Sequence, residues 1–396
     1  MLFSFALIFI FGLLFGTLFN KLKLPSLIGM LLVGIIIGPY ALNLFDNSVL
    51  SMSSQLRQVA LIIILTRAGL SLDINDLKKV GRPAILMSFL PACFEIIGIV
   101  IIAPSILNVT IVEAALIGSV VAAVSPAIIV PRMIRIMESG YGREKRIPQL
   151  LLAGASVDDI FVIVLFTSFT SLASSNSIST GIFLKIPISI ILGILLGMLI
   201  GIILCYLFKK VEIRDTVKVL ILLSTSFLLV EIENNFSSTV PFSGLLAIMS
   251  MGVLINYKNK KLCLSISHSY NKLWIVAEII LFVLVGAAVD IKYALNAGVL
   301  ALIIIIFGLL FRVLCVFLCL MKTGLNFKEK LFCMIAYTPK ATVQAAIGSI
   351  PLSMGLDCGT KVLTIAVLSI IITAPIGAIL IDKSYEKLLN NDIKKQ

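Results

Sequence analysis

The sequence predicts an all-α polytopic membrane protein, and three observations lead to that fold class. Hydrophobic residues make up 60% of the 396 residues and charged residues only 13%, with a mean hydropathy of +1.14. Soluble domains contain about 25% charged residues. Apolar runs long enough to cross a bilayer, which takes about 20 residues, follow one another along the whole chain. Such a chain leaves no length for a separate soluble catalytic domain.

About thirteen apolar runs qualify as transmembrane helices. We interpret the first as a retained helix and not a signal peptide, because further spans follow it at once and no small-residue cleavage site follows a basic segment. The predicted limits of the runs are 2–19, 25–40, 52–71, 83–105, 111–136, 148–173, 182–208, 216–233, 240–256, 269–290, 294–320, 329–353 and 360–382.

Basic residues are distributed unevenly between the two sides of the predicted membrane. Twenty-five lysines and arginines follow the odd-numbered runs, whereas only Lys185, Lys292 and Lys361 follow the even-numbered ones. Positively charged loops stay in the cytoplasm, so we expect the N-terminus outside and the C-terminus inside. The net charge of +12 then reflects cytoplasmic loops, and no nucleic-acid partner is predicted. The seven cysteines have no metal-ligand or disulfide spacing, and no cofactor is predicted.

Two runs carry a proline interruption near their middle. The fifth run contains Ser125-Pro126 with Pro131, and the twelfth contains Pro339-Lys340. If the thirteen runs are divided into six, one and six, these two runs occupy the fifth place of each half. They are then seven spans apart. Because seven is an odd number, the second half would be inserted in the opposite orientation to the first. The predicted organisation is a first six-helix repeat (2–173), a linker helix (174–215), a second inverted repeat (216–382) and a cytoplasmic tail (383–396). Broken helices that cross at the midplane form the substrate site of many transporters; ordinary proline kinks are the alternative.

Two adjacent carboxylates, Asp158 and Asp159, lie within the apolar stretch 147–172. An ionised side chain at the bilayer centre costs roughly 2.5 to 3.5 kcal/mol, so such residues indicate a functional site. Neighbouring carboxylates at that depth suit a site that trades a proton for a cation. Backbone carbonyls at the breaks, water, and the hydroxyls of Ser125, Ser156 and Thr342 would complete an oxygen shell around a bound Na+.

Three further ionisable residues, Glu95, Arg312 and Lys340, lie deep in their runs. The five charges together would cost on the order of 12 to 17 kcal/mol if unpaired, so we expect them to compensate one another. Arg312 pairs with either Glu95 or Asp158, two alternatives that the sequence leaves open. We expect Lys340 to interact with the negative end of a half-helix and with the carbonyls freed at the second break.

The stretches 64–70, 124–132, 154–159, 284–287 and 339–346 together resemble the monovalent cation/proton antiporter superfamily. The resemblance is to its double-aspartate branch, which includes bacterial Na+/H+ antiporters and animal NHA-type sodium/hydrogen exchangers. It implies the Na+/H+ antiporter fold, in which a core domain (83–173 plus 294–382) shifts in an elevator-like movement against a dimerisation domain (2–71 plus 216–290). It also implies a homodimer in the lipid bilayer, with Asp159 as principal cation ligand and proton acceptor and Asp158 beside it.

The resulting expectation is a secondary antiporter, not an enzyme, that exchanges Na+ (or Li+) for H+ across the cell (inner or plasma) membrane. Cation and protons would compete for Asp158 and Asp159. The alternatives are a K+/H+ antiporter of the same superfamily, a sodium-coupled organic anion symporter and a passive channel. An intramembrane aspartyl protease is disfavoured because its two aspartates lie on different helices. Relatives often have Asn in place of Asp158 or Lys in place of Arg312, so the exchange stoichiometry is left open.

Overall fold

The computed structural model describes residues 1–72, 81–174, 180–211, 213–236 and 242–391, and it describes no side chains for 180–187, 236 and 296–297. The side chain of Lys185 and parts of the predicted linker (175–179 and 212) and tail (392–396) therefore lie outside the described residues. Across the described ranges the chain is helical, without strands, apart from one isolated bridge between Tyr141 and Asn391. The all-α prediction is confirmed.

Eighteen helices form in the described parts of the chain. They are α1 (Leu2–Lys21), α2 (Ser26–Ile37), α3 (Asn47–Ser51), α4 (Ser53–Ser71), α5 (Arg82–Met87), α6 (Leu90–Leu107), α7 (Ile111–Val121), α8 (Pro126–Glu138), α9 (Ile147–Ser174), α10 (Thr180–Lys210), α11 (Asp215–Phe236), α12 (Gly244–Lys258), α13 (Lys260–Ala287), α14 (Ile291–Cys319), α15 (Phe327–Ala336), α16 (Thr342–Ile347), α17 (Ile350–Ser353) and α18 (Gly359–Leu388).

Eight helical stretches of the described chain are long and apolar enough to cross a membrane. They correspond to α1, α5 with α6, α7 with α8, α9, the part of α10 from Ile188, α13, the part of α14 from Gly298, and α18. Two shorter apolar helices, α2 and α12, fall below the length of a span. The predicted number of thirteen spans therefore stays a prediction, while a multi-pass membrane protein is clear.

The chain forms two compact units. The first comprises Met1–Ser54, Asn75–Val162 and Phe282–Gln396, and it contains α5 to α8, the first part of α9 and α14 to α18. Its apolar core includes Met87, Leu151, Cys315, Phe332 and Tyr337, each at most 1% exposed. All the ionisable residues singled out in the sequence belong to this unit.

The second unit comprises Gln55–Ile74 and Ile163–Leu281, with α10 packed along α12. Three glycines of α10, spaced four residues apart, lie against that partner. A Cβ atom at Gly197 would lie 2.1 Å from the Ala247 carbonyl oxygen, and one at Gly193 would lie 2.6 Å from the Ser243 oxygen. Small residues at this spacing let membrane helices approach backbone to backbone.

Local sequence explains where the two broken helices begin. Thr110 and Glu113 form a capping box at the start of α7, with Glu113 N donating to Thr110 Oγ1 at 3.2 Å. Asn326 and Glu329 do the same at the start of α15, with Glu329 N donating to Asn326 Oδ1 at 2.9 Å. Such boxes satisfy orphan N–H groups at a helix start. Both helices then end within the apolar region, ahead of Pro126 and Pro339 respectively.

The close packing of α10 on α12 predicts that Gly197→Ala lowers the stability of the protein. The added methyl group would overlap a backbone oxygen, and overpacking of this kind costs about 1–3 kcal/mol. The midpoint of thermal unfolding in detergent measures the effect. Gly298→Ala is the matched control, since a Cβ there has no atom within 4 Å and alanine is the better helix former. An equal loss of stability in both variants would contradict the packing.

Candidate functional site

The two broken helices meet through their backbones. Ser125 N, at the start of α8, donates to Pro339 O at 2.8 Å. Residues 122–125 separate α7 from α8, and residues 337–341 separate α15 from α16. A helix end leaves N–H and C=O groups unsatisfied, and in a membrane interior the protein must supply their partners. The site is built from the side chains that do so.

Gln344 satisfies three backbone groups from the two breaks. Its Nε2 donates to Val121 O at 3.1 Å and to Ala123 O at 2.7 Å. Its Oε1 accepts from Ala341 N at 2.8 Å. The side chain is fully buried, so one amide ties the end of α7 to the start of α16.

Arg312, on α14, satisfies two more carbonyls. Its Nε donates to Tyr337 O at 2.8 Å, and its Nη1 donates to Ala122 O. Ala122 lies four residues before Pro126, whose missing N–H would be the helical partner of that carbonyl. A positive side chain therefore takes the position that the sequence leaves without a donor.

Arg312 also pairs with two carboxylates. Its Nη1 lies 3.0 Å from Glu95 Oε2, and its Nη2 lies 2.8 Å from Asp158 Oδ2. Glu95 and Asp158 are the two alternatives that the sequence leaves open, and the structure shows both contacts at once. Asp158 Oδ2 accepts a further bond from Val124 N at 2.8 Å, which binds the carboxylate to the first break.

The predicted partner of Lys340 is wrong. Its Nζ lies 2.6 Å from Glu95 Oε2. The carbonyls at the second break have other donors, since Tyr337 O accepts from Arg312 Nε, Ile335 O from Thr338 Oγ1 and Pro339 O from Ser125 N. Its backbone N donates to Thr373 Oγ1 on α18 at 2.9 Å. Glu95 therefore receives two positive groups on one oxygen.

Asp159 differs from the other charged residues of this group. Glu95, Asp158, Arg312 and Lys340 are 0% exposed, whereas Asp159 is 7% exposed. Within the described residues no basic side chain forms an ion pair with Asp159, and its Oδ1 has no hydrogen-bond partner. With all five groups ionised, the two positive charges balance Glu95 and Asp158 and leave one negative charge at Asp159.

The three hydroxyls predicted for an oxygen shell occupy different environments. Ser125 is fully buried at the first break, and its Oγ has no hydrogen-bond partner in the described structure. Ser156 is half-buried and donates to Leu152 O at 2.9 Å on its own helix, so its proton is already committed. Thr342 is 3% exposed at the first position of α16. Whether these hydroxyls bind a cation stays a prediction.

Sequence reasoning assigned no role to Gln344 or Tyr337, although both lie at the second break. The sequence could have indicated Gln344. An amide in an apolar run needs hydrogen-bond partners, and a nearby proline indicates backbone carbonyls that lack a donor. Tyr337 gives no such indication, since an aromatic residue is ordinary in an apolar run. Its backbone and ring both contact Arg312.

A buried site with one uncompensated carboxylate can accept a single positive charge. A proton or a monovalent cation would neutralise Asp159, and each would exclude the other because protonation removes the charge that attracts the cation. The unpartnered oxygens of Asp158, Asp159 and Ser125 are hard ligands of the kind that alkali cations and other hard cations bind.

Comparisons with known proteins give a consistent result. The family model described as "Sodium/hydrogen exchanger, transmembrane" matches residues 5–382. Sodium/hydrogen exchanger 9B2 of Bison bison bison is 38% identical over 98% of this chain and 75% of its own length. The human protein of that name is 34% identical over the same shares. Sodium/hydrogen exchanger 9B1 of Mus musculus is 35% identical over 98% of this chain and 71% of its own.

Among solved structures, the sodium proton antiporter MjNhaP1 of Methanocaldococcus jannaschii matches with a TM-score of 0.83. The match covers 97% of each chain at 22% sequence identity. The helical arrangement is therefore that of this antiporter, and the predicted Na+/H+ antiporter fold is confirmed.

The bridging role of Gln344 predicts a large destabilisation in Gln344→Ala. Three buried backbone groups lose their partner, and each such loss costs about 1–3 kcal/mol, so the free energy of unfolding should fall by about 3–9 kcal/mol. Denaturant or thermal unfolding of the purified protein measures the change. Gln149→Ala is the control, because the one hydrogen bond that the Gln149 amide makes in the described structure goes to the Met137 sulfur, at 3.1 Å. Similar losses in the two variants would refute the bridge.

Proposed function

This chain belongs to the transmembrane sodium/hydrogen exchanger family and is a sodium/proton antiporter, and we propose that Asp159 is the residue for which Na+ (or Li+) and H+ compete. The family assignment rests on the match over residues 5–382. The protein is accordingly a multi-pass membrane protein, and the exchanger relatives support a transporter and not an enzyme. The relatives favour neither a sodium-coupled organic anion symporter nor a K+/H+ antiporter.

The unbalanced charge at Asp159 is the observation that carries the proposal. An isolated ionised carboxylate in a low-dielectric site is strongly unfavourable, so the site favours a state in which a cation or a proton is bound. Because Na+ and H+ compete for one carboxylate, the fluxes of the two ions are coupled without a second coupling site. Release of Na+ on one side allows a proton to bind, and loss of that proton on the other side restores the affinity for Na+.

The paired state of Asp158 bears on the stoichiometry. Its Oδ2 is held by Arg312 and by Val124 N, and an arginine stays protonated under all relevant conditions. Asp158 can contribute its free oxygen, Oδ1, to a cation while keeping its own charge balanced by Arg312. One carboxylate, Asp159, then exchanges one proton for one cation, and the cycle carries no net charge.

The remaining parts of the proposal come from the sequence. Alternating access would move a core domain (83–173 plus 294–382) relative to a dimerisation domain (2–71 plus 216–290) in a homodimer. The basic connections would place the N-terminus outside and the C-terminus inside the cell membrane. Ser125, Ser156 and Thr342 would serve as additional oxygen ligands around the cation.

Replacement of Asp159 is the direct test of the site. In proteoliposomes with a preset pH gradient and an internal pH dye, Na+ or Li+ should dissipate the gradient for the wild type. Asp159→Asn should abolish this response, because the amide can neither take up a proton nor attract the cation by charge. Asp215→Asn, a change at the exposed start of α11, should behave as wild type. Robust exchange by Asp159→Asn would refute the assignment.

The stoichiometry predicts an exchange rate that does not depend on membrane potential. Potassium gradients with valinomycin set potentials of either sign across the same proteoliposomes, and the initial rate of Na+-driven pH change is recorded. Equal rates at opposite potentials are expected for exchange of one Na+ for one H+. A rate that rises steeply with potential of one sign would show that more than one carboxylate exchanges its proton.

A further inference from the structure

Tyr337 lies at the end of α15, fully buried, where the second break begins. Its side chain and backbone contact three other parts of the carboxylate site. These contacts are a hydrogen bond to the last residue of α5, a stacking contact with Arg312, and close packing against α9. The role of the residue follows from these contacts taken together.

The hydroxyl group of Tyr337 has a defined acceptor. It donates to Met87 O at 3.0 Å, at the point where α5 ends. Pro91 lies four residues after Met87 and has no N–H, so this carbonyl has no helical donor. The tyrosine hydroxyl takes the place of that donor. The hydrogen bond therefore fixes the far end of the side chain.

The other end of Tyr337 holds Arg312. The Arg312 guanidinium carbon lies 5.1 Å from the centroid of the Tyr337 ring, and Arg312 Nε donates to the Tyr337 carbonyl at 2.8 Å. A guanidinium over an aromatic face is attracted by the ring quadrupole, and more strongly where water is excluded. Ring and carbonyl together restrict the plane of the guanidinium, from which Nη2 reaches Asp158 Oδ2 at 2.8 Å.

Gly154 provides the space for the tyrosine ring. It lies on α9 one turn before Asp158, and a Cβ there would lie 2.6 Å from the Tyr337 hydroxyl oxygen. With that oxygen absent, the nearest contacts would be 3.3 Å to Met87 Cβ and 3.5 Å to Tyr337 Cζ. The glycine and the hydroxyl thus form a complementary pair on the helix that carries both aspartates.

We propose that Tyr337 is a positioning residue that sets the preference of the Asp158–Asp159 site between Na+ and Li+ by fixing the orientation of the Arg312 guanidinium. The proposal rests on the proposed function. Arg312 holds one oxygen of Asp158, so its orientation decides where the other oxygen, Oδ1, lies. Discrimination between cations of one charge depends on the size and rigidity of the oxygen cage. A shift of Oδ1 changes the relative affinity for the two ions.

The test measures KM for Na+ and for Li+, together with turnover, in proteoliposomes. Tyr337→Leu should change the ratio of the two KM values and raise KM for Na+, by between about twofold and thirtyfold, the range that loss of a cation–π contact gives. Tyr337→Phe keeps the ring over Arg312 and should keep the ratio, with a lower unfolding temperature from the unpaired Met87 carbonyl. Gly154→Ala should shift the ratio, and Gly154→Ala with Tyr337→Phe should restore it.

Tyr270→Leu is the control for the loss of a buried ring. Tyr270 is also 0% exposed but belongs to the second unit, so its removal should lower stability and leave the KM ratio unchanged. The proposal is overturned if Tyr337→Leu keeps the wild-type ratio. Should that variant fail to fold, an unshifted ratio in Gly154→Ala, or no restoration in the double variant, overturns it. Absence of exchange in the wild type refutes the proposed function instead.

Discussion

The contacts of Arg312 are the constraint on which the rest of the site depends. One fully buried guanidinium donates to two backbone carbonyls and two carboxylates, from three different nitrogen atoms. Removal of one partner from a buried ion pair typically costs 3–5 kcal/mol, because the other charge is left without compensation. Loss of Arg312 would leave Asp158 without its cation and Glu95 with Lys340 alone. The carbonyls of Ala122 and Tyr337 would also lose their hydrogen-bond donor. Exposed ion pairs on a protein surface, by contrast, are typically worth about 0–1 kcal/mol.

The breaks and the charges are mutually dependent. A broken helix in hydrocarbon exposes backbone groups at a cost of several kcal/mol each, and buried charges require polar partners. At this site the polar side chains supply partners for the backbone groups of the breaks, and those backbone groups supply partners for the charged side chains. The carboxylate of Asp158 accepts from Val124 N, the guanidinium of Arg312 donates to Ala122 O, and the amide of Gln344 spans both breaks.

Much of this site was visible in the sequence, and the parts that were not have physical reasons. Charged residues and prolines inside apolar runs are costly, so they mark the breaks, Asp158, Asp159 and their compensating partners directly. The choice of partner depends on which side chains meet in space. Arg312 is separated from Asp158 by 154 positions and from Glu95 by 217 positions in the sequence, and hydropathy does not encode such contacts. The error at Lys340 has the same origin, because its partner Glu95 lies 245 positions away in the sequence and the Tyr337 carbonyl at the second break binds Arg312 instead. Sequence alone also fixes neither the number of spans nor the roles of repeats and domains, which stay predictions.

An arginine at position 312 fits this geometry in a way that a lysine would not. Guanidinium presents five N–H donors in a rigid plane, whereas an ammonium group is a point charge with three rotatable donors on a flexible stem. Glu95 Oε2, Asp158 Oδ2 and the carbonyls of Ala122 and Tyr337 lie around the edge of one side chain, and its face covers the Tyr337 ring. A lysine could neutralise one carboxylate but would leave at least one acceptor buried without a donor. With arginine in place, Asp158 remains paired whatever binds beside it. The single uncompensated charge therefore stays on Asp159, the residue for which we propose that Na+ and H+ compete.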